Sequence, residues 1–361
     1  MQKLSKSTNE LNQSKRKRSG ILSTHAFLLL TTVVITLFLA GCGGRSGAER
    51  INFGTGQEMH SLVPLSVHDD AIFVLFSTVE WQGDDYRDIF HIGWMHTDET
   101  DFRILRTLAR EGWTSDDEME QFIHEELLTQ VAKRPCGGML ALILEEEMFI
   151  DWADVYMSTE RFETHLVFYA ADGTIEHEIT ISDLLPEEFG GWIIGNSMQV
   201  LSDGRIVIND EHGNLLVLSS GGEIEQIFEA GLESFVILHD ERMIATLFDI
   251  ETWEWNTRYF DLEMGQIVES SYDVVPAAYR SPIMIPGIRY DIYSPIGDNM
   301  YGIDLATGRA ERLFSWTTAA GSFHEFVLSD MGVFYYFVAQ GEQGEGFEGF
   351  RLGRIMASED I

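Results

Sequence analysis

Cysteine is nearly absent. Cys42 and Cys136 are the only two in 361 residues, which excludes a disulfide-stapled scaffold. Proline is scarce as well, with seven against 33 glycines, a balance that suits many tight turns rather than disorder. Basic residues are few: 24 Lys and Arg face 59 Asp and Glu, for a net charge of −35. A surface of that sign repels nucleic acid and anionic membranes, favours solubility and attracts cations only weakly. Reaction motifs are missing too. His124-Glu125-Glu126 lacks the second His, four residues after the first, that a zinc-protease helix needs. No Gly-x-Ser-x-Gly elbow occurs, and no Gly-rich phosphate loop precedes a Lys. Gly297-Asp298-Asn299 and Asp84-Asp85-Tyr86-Arg87-Asp88 are acidic turns without the alternation of a calcium loop. These absences yield no catalytic residue, no metal ligand and no cofactor, weak surface calcium at such turns aside.

What is present is a repeat, clearest in residues 198–228. Short Val/Ile/Leu runs are separated there by Ser202-Asp203-Gly204, Glu211-His212-Gly213 and Ser220-Gly221-Gly222. Apolar runs of four to eight residues between Asp-Gly and Gly-Gly turns read as an antiparallel meander. Such a meander cannot bury both faces alone, so it calls for copies of itself. Equivalent turns fall at His68-Asp69-Asp70, Pro135-Cys136-Gly137, Asp240-Glu241, Pro286-Gly287 and Asp330-Met331-Gly332. A second series, Gly173, Gly222, Gly265 and Gly308, is spaced by 49, 43 and 43 residues. A period of 40–50 residues with about four strands is the mark of propeller blades. The expectation is an all-β chain, a β-propeller of about six four-stranded blades, with seven as the alternative.

The first two intervals are longer, 67 residues each from Asp70 to Gly137 and from Gly137 to Gly204. Ser115-x-x-Glu118, with Met119, Phe122 and Ile123 at helical spacing, predicts a capped helical turn over 116–124. Residues 146–161 read as a long connection inside the second blade. The last unit ends one strand short, and Ile51-Asn52-Phe53 is the segment expected to complete it, since an open edge leaves backbone groups unpaired.

The N-terminus carries an address. Lys15-Arg16-Lys17-Arg18 precedes an apolar run over 21–40, about 20 residues and long enough for a membrane span. The run closes on Leu39-Ala40-Gly41-Cys42, which resembles the lipobox of bacterial lipoprotein signal peptides. The resemblance implies cleavage before Cys42, lipid on its sulfur with acyl chains of the palmitate class, and anchorage on the extracytoplasmic face of the cell membrane; several acyl chains hold far better than one. Residues 1–41 would then be the signal peptide, 42–56 a flexible tether and closing strand, and 57–361 the propeller. Residues 1–41 hold six basic groups and one acid, so their removal takes the net charge to about −40. With Cys42 lipidated, Cys136 is a free thiol in a turn and is read as structural.

Tyr290-Asp291-Ile292-Tyr293, Asn299-Met300-Tyr301-Gly302-Ile303-Asp304-Leu305-Ala306-Thr307-Gly308 and Leu313-Phe314-Ser315-Trp316 together resemble a segment of large Firmicutes lipoproteins. Those carry an N-terminal propeller-like region followed by an extracellular solute-binding domain of the family that delivers sugars to ABC transporters. Asn196-Ser197-Met198 and Ser202-Asp203-Gly204 fit the same pattern. The chain stops at Ile361, about where that solute-binding domain would begin, so the resemblance implies association with an uptake or sensing complex rather than sugar capture itself. Sugar ligands stack on aromatic faces, which singles out Trp152, Trp192, Trp253 and Trp255 at blade loops and strand ends, although inter-blade packing also uses large aromatics. Trp253 and Trp255 alternate, which places both on one side of a strand. The functional expectation is a non-catalytic binding module with a glycan or a transport-complex protein as partner, and no nucleic acid. The alternatives are a cell-surface glycan-active enzyme and a truncated relic of a solute-binding lipoprotein.

Overall fold

A computed structural model describes residues 59–82, 85–97, 102–114, 120–151, 156–185, 195–210, 212–268, 273–281, 284–315, 326–342 and 346–356. Every described residue lies in the unit spanning 44–361. Among the described residues, 24 strands form six antiparallel sheets in chain order. Blade 1 holds β1 (Met59–His68), β2 (Ala71–Gln82), β3 (Asp85–His96) and β4 (Phe102–Thr107). Blade 2 holds β5 (Arg110–Thr114), β6 (Glu120–Lys133), β7 (Met139–Asp151), β8 (Tyr156–Tyr169) and β9 (Ile175–Thr180). Blade 3 runs through β10 (Gly195–Val200), β11 (Ile206–Asp210), β12 (Asn214–Leu218) and β13 (Ile224–Glu229). Blade 4 runs through β14 (Ser234–Ile237), β15 (Met243–Asp249), β16 (Glu254–Asp261) and β17 (Gln266–Ile267). Blade 5 comprises β18 (Ile285–Pro286), β19 (Ile292–Ile296), β20 (Asn299–Asp304) and β21 (Arg309–Ser315). Blade 6 comprises β22 (Val327–Leu328), β23 (Val333–Glu342) and β24 (Gly346–Met356).

The chain is a six-bladed β-propeller, because each sheet buries both faces against its neighbours. Strand alternation sends successive side chains to opposite sides. In β11, Ile206 and Ile208 pack with Leu140, Leu142 and Phe168 of blade 2, while Val207 turns the other way, to Phe235 and Ala245 of blade 4. Val236 and Ile244 continue into blade 5 through Ile292 and Ile303, and Tyr293 and Phe314 meet Phe334 and Tyr336 of blade 6. The last seam joins the ends: Val333, Tyr335 and Phe337 of blade 6 pack on Leu62, Val67 and Ile72 of blade 1. Phe73 and Ile92 then meet Met139, Ile143 and Tyr169, closing the circuit at blade 2. Each fully buried side chain of this kind contributes roughly 1.5–3 kcal/mol relative to solvent exposure.

Blade composition departs from a uniform four strands. Blade 2 has five because β5 pairs with residues 121–125 of β6, leaving the rest of β6 at the inner edge. Blade 6 has three described strands, and residues 51–53, expected to complete it, lie outside the described residues. Two local expectations are corrected. Residues 120–124 are not helical but begin β6, since pairing with both β5 and β7 satisfies their backbone better than one helical turn would. The long connection over 146–161 is largely strand: β7 and β8 run on as a ladder to Asp151 and Tyr156.

One turn is used six times. At residues 134–138, 170–174, 201–205, 219–223, 238–242 and 329–333, the first N–H donates to the fifth carbonyl and the fourth N–H donates to the first carbonyl. The fourth position needs a left-handed backbone. It is Gly at 137, 173, 204, 222 and 332, with φ between 76° and 91°, and Glu241 at φ 64° in blade 4. A side chain in that conformation costs about 1–2 kcal/mol. Glu241→Gly should therefore stabilise the fold by about 1 kcal/mol, and Gly204→Ala should destabilise it by about 1–2 kcal/mol. Urea denaturation measures both, and equal effects of the same sign would contradict the turn analysis.

The face of blade 2 directed at blade 3 carries a second local cost. Glu146 follows Leu140 and Leu142 on that side, paired across from Glu125. Burial, and then the Glu125 charge, push its pKa up to about 7. The folded chain thus keeps a proton that the unfolded chain, near 4.5, has released. Stability from this group is highest below about pH 4.5 and declines as pH rises through 7. Glu146→Gln should change little at pH 4.5 and stabilise by about 1–2 kcal/mol at pH 8, allowing for partial solvent contact. Thermal unfolding of the two proteins at both pH values checks the crossover.

Candidate functional site

The inner strands of all six blades enclose a cavity of about 590 Å³. Its wall is apolar: Val67, Val131, Val200, Ile237, Ile285 and Leu328 contribute, one from each blade. Its rim is polar, because the turn that follows each inner strand projects there. Successive strands run in opposite directions, so all six of these first turns lie on one face of the ring and the second-to-third strand hairpins on the other. Cavity and charged rim therefore belong to the first-turn face.

The rim groups are engaged with one another. Lys133 Nζ donates to Asp330 Oδ1 at 2.5 Å, linking blade 2 to blade 6. His68 Nδ1 of blade 1 lies 3.3 Å from Asp330 Oδ2, without hydrogen-bond alignment. Ser202 donates to Glu241, linking blades 3 and 4. Gln199 accepts from the Ile237 N–H at 2.6 Å, holding β10 to β14. Arg134 is turned outward to Glu176 at 2.6 Å. The result is a mixed-charge collar around an apolar well, suited to a small ligand with an apolar body and a polar end, or to an inserted side chain.

The sequence-selected aromatics sit elsewhere. Trp253 and Trp255 both contact Phe248, with ring centroids 5.8 and 4.9 Å from its own, but Trp253 lies in the turn before β16 and not on a strand. They lie at the end of the β15–β16 turn and the start of β16, on the opposite face from the cavity. Trp253 is 76 % exposed and left-handed, at φ 58°. It offers an open ring face, whereas Trp255 is half-buried beside Phe248. Trp152 and Trp192 lie outside the described residues, as does Cys42. Cys136 is exposed in the turn that opens blade 2 and is a free thiol. Among the described residues no helix is long and apolar enough to cross a membrane; the apolar run 21–40 lies outside them.

A second concentration of polar groups was not read from the sequence. His124, Glu145, Glu147, Glu163 and His165 meet on the side of blade 2 that faces blade 1, and could hold a metal ion. His124-Glu125-Glu126 by itself points only to a helical zinc motif that it does not complete. Glu145-x-Glu147 and Glu163-x-His165, at strand period on neighbouring strands, were the available signal. Elsewhere in blade 1, His91 is buried between Thr78 and Thr107 at 2.9 Å each and stacks on Phe76, and burial lowers its pKa. That environment suits a neutral structural imidazole.

No protein-family model matches the chain, and no curated protein does either. Several solved structures share its general architecture at low similarity. A protein of unknown function from Bacteroides caccae is 12 % identical, with 84 % of this chain and 91 % of that one covered at a TM-score of 0.39. The β-propeller domain of the Trilobed protease from Pyrococcus furiosus is 10 % identical, covering 82 % and 98 % at a TM-score of 0.32. A β-propeller domain from Myceliophteria thermophila is 10 % identical, covering 82 % and 98 % at 0.35. At such values the likeness carries no functional argument, and the six-bladed ring rests on the strand pairing and seams of the chain itself.

Proposed function

We propose that this chain is a lipid-anchored, extracytoplasmic binding module without catalysis, held to the membrane through Cys42 and presenting its axial cavity to a small ligand or a partner's side chain. The cavity is the observation that carries the reading. Its volume lies within the roughly 300–1,000 Å³ of small-ligand sites, and it combines an apolar wall with few convergent polar groups. The lipobox at Leu39-Ala40-Gly41-Cys42 supports the anchor, and the likeness to transport lipoproteins favours a role beside solute uptake. A glycan-active enzyme would need two carboxyls facing each other across the sugar. The rim acids Glu241 and Asp330 are instead engaged by Ser202 and Lys133, which favours binding over hydrolysis. Trp253 gives glycans a second point of contact on the opposite face.

The first experiment is a glycan-array screen of the full chain, with and without calcium. Saturable binding to one glycan class, weakened at least tenfold by Val200→Trp in the cavity wall, supports an axial sugar site; loss on Trp253→Ala instead moves the site to the opposite face. Binding indifferent to both variants overturns the reading, and no glycan binding at all directs the search to a protein of an uptake complex. Separately, Cys42→Ala should abolish incorporation of labelled palmitate and leave residues 1–41 attached, so that the chain migrates as a larger species. A variant that still incorporates labelled palmitate would sink the anchor.

A further inference from the structure

The polar cluster on blade 2 is built by strand register. Three antiparallel strands place His124 of β6 opposite Glu147 of β7, and Glu145 of β7 opposite Glu163 of β8. Side chains at every second position share a face, so Ile143, Glu145 and Glu147 form one row and His165, Glu163 and Arg161 the next. Toward the ring centre this face is apolar, with Ile143 and Val167 in the seam against blade 1. Further out along the same strands it becomes a nest of imidazoles and carboxylates.

Glu145 is the centre of it and is only 16 % exposed. Its Oε1 lies 3.1 Å from His124 Nε2, and its Oε2 lies 3.0 Å from His165 Nε2. The ligating atoms of His124, Glu145 and Glu147 all fall within 4.8 Å of one another, as do those of Glu145, Glu163 and His165. Two donors each about 2.0–2.2 Å from a tetrahedral ion sit about 3.3–3.6 Å apart, so the pairs on either side of Glu145, at 3.1 and 3.0 Å, need open by only a few tenths of an ångström to take one. The His165 ring is steadied from behind: its Nδ1 is 3.3 Å from Thr180 Oγ1 and 3.9 Å from Glu178 Oε1. A second hydrogen bond of that kind fixes the tautomer and aim of metal-ligating histidines. With neutral imidazoles, three carboxylates against Arg161 leave a local charge of −2.

We propose that this cluster is a binding site for a first-row divalent transition metal of the zinc class, made of two adjoining half-sites that share Glu145. One half is His124, Glu145 and Glu147; the other is Glu145, Glu163 and His165. Each offers three protein donors and leaves a coordination position for water. Imidazole with carboxylate suits zinc-class ions, whereas calcium and magnesium favour oxygen donors alone, which separates this site from diffuse binding to an acidic surface. Arg161 is the competing cation. It donates to Glu163 at 2.8 and 2.7 Å and lies 3.2 Å from Glu145, but its side chain is 43 % exposed and free to swing outward.

The test is competition of the untagged full chain with a chromophoric chelator for Zn²⁺, in a large excess of Ca²⁺ and Mg²⁺. Up to two zinc ions per chain should bind despite the excess. Glu145→Gln should weaken binding at least 100-fold, and His124→Ala or His165→Ala should each remove one ion. Arg161→Ala should tighten binding several-fold, a gain that a purely structural ion-pair network would not produce. Thermal unfolding in chelator shows whether Glu145→Gln is folded; if it is not, the two His variants decide, since they alter only half of the cluster each. Zinc that is displaced by calcium, or binding that none of these substitutions changes, overturns the site.

Discussion

A blade cannot satisfy both of its faces, and everything else in the molecule follows from that. Each sheet presents an apolar row on either side, and only a neighbouring sheet can cover it. Six seams of buried Val, Ile, Leu and aromatic side chains therefore have to close on themselves. The seam between Val333, Tyr335 and Phe337 at one end of the chain and Leu62, Val67 and Ile72 at the other makes the ring a ring. Without it, blades 1 and 6 would each expose an apolar face of the size that drives association. The axial cavity is a by-product of the same constraint: six inner strands of ordinary side-chain size meet around an axis without filling it.

The turns perform a second task. Asp203 and Asp240, at equivalent positions of blades 3 and 4, each accept from the N–H two residues on and from the Nε of the following Arg. The backbone bond, then the Arg205 side chain, outweigh desolvation and hold the Asp203 carboxyl below its usual range. Turn chemistry thus supplies both the reversal of direction and the charge of the collar. Glu241 is where the two interests diverge. Five equivalent turns use Gly; this one keeps a carboxylate in a left-handed backbone and points it at Ser202 on the rim. Local strain retained at a cavity mouth fits a position kept for contact with a ligand rather than for stability.

Much of this was legible in the sequence because the period of the turns is a physical requirement of the blades. Polar turns at 68–70, 135–137, 202–204, 240–241, 286–287 and 330–332 marked all six blades, and the series Gly173, Gly222, Gly265 and Gly308 marked the outer hairpins of four of them, each now found with positive φ. What was not legible depended on partners distant in sequence. Met119, Phe122 and Ile123 have helical spacing, yet Phe122 and Ile123 sit in β6 because β5 and β7 offer hydrogen bonds on both sides. Residues 146–161 read as a long connection because nothing local marks their partners; in the fold, His124 and Arg161 reach across strands to Glu145 and offset its charge. Trp253 was singled out for its ring at a blade loop or strand end, but whether it shared a site with the cavity depended on which face its hairpin occupies.

The strand lengths carry one more argument. Blades 3, 4 and 5 close the ring with strands of at most eight residues, so ring closure needs no more. In blades 1, 2 and 6 the second and third strands run to 10–14 residues, and all three hairpins project from the face opposite the cavity. In blade 2, where the side chains of this extension are best described, both faces mix charged groups with half-buried apolar ones. One carries His124, Glu145, Glu163, His165 and Arg161, and the other carries Glu146, whose carboxyl is held near neutral pKa by burial and by Glu125. Apolar residues there would have lengthened the seams and added stability at roughly 25 cal/mol per Å² buried. Charged groups in half-buried positions do the reverse, since each must be desolvated before it is paired. An extension that ring closure does not require, with half-buried charged groups set beside apolar ones such as Met148 and Ile150, is best understood as a built surface, in keeping with the proposed cation site.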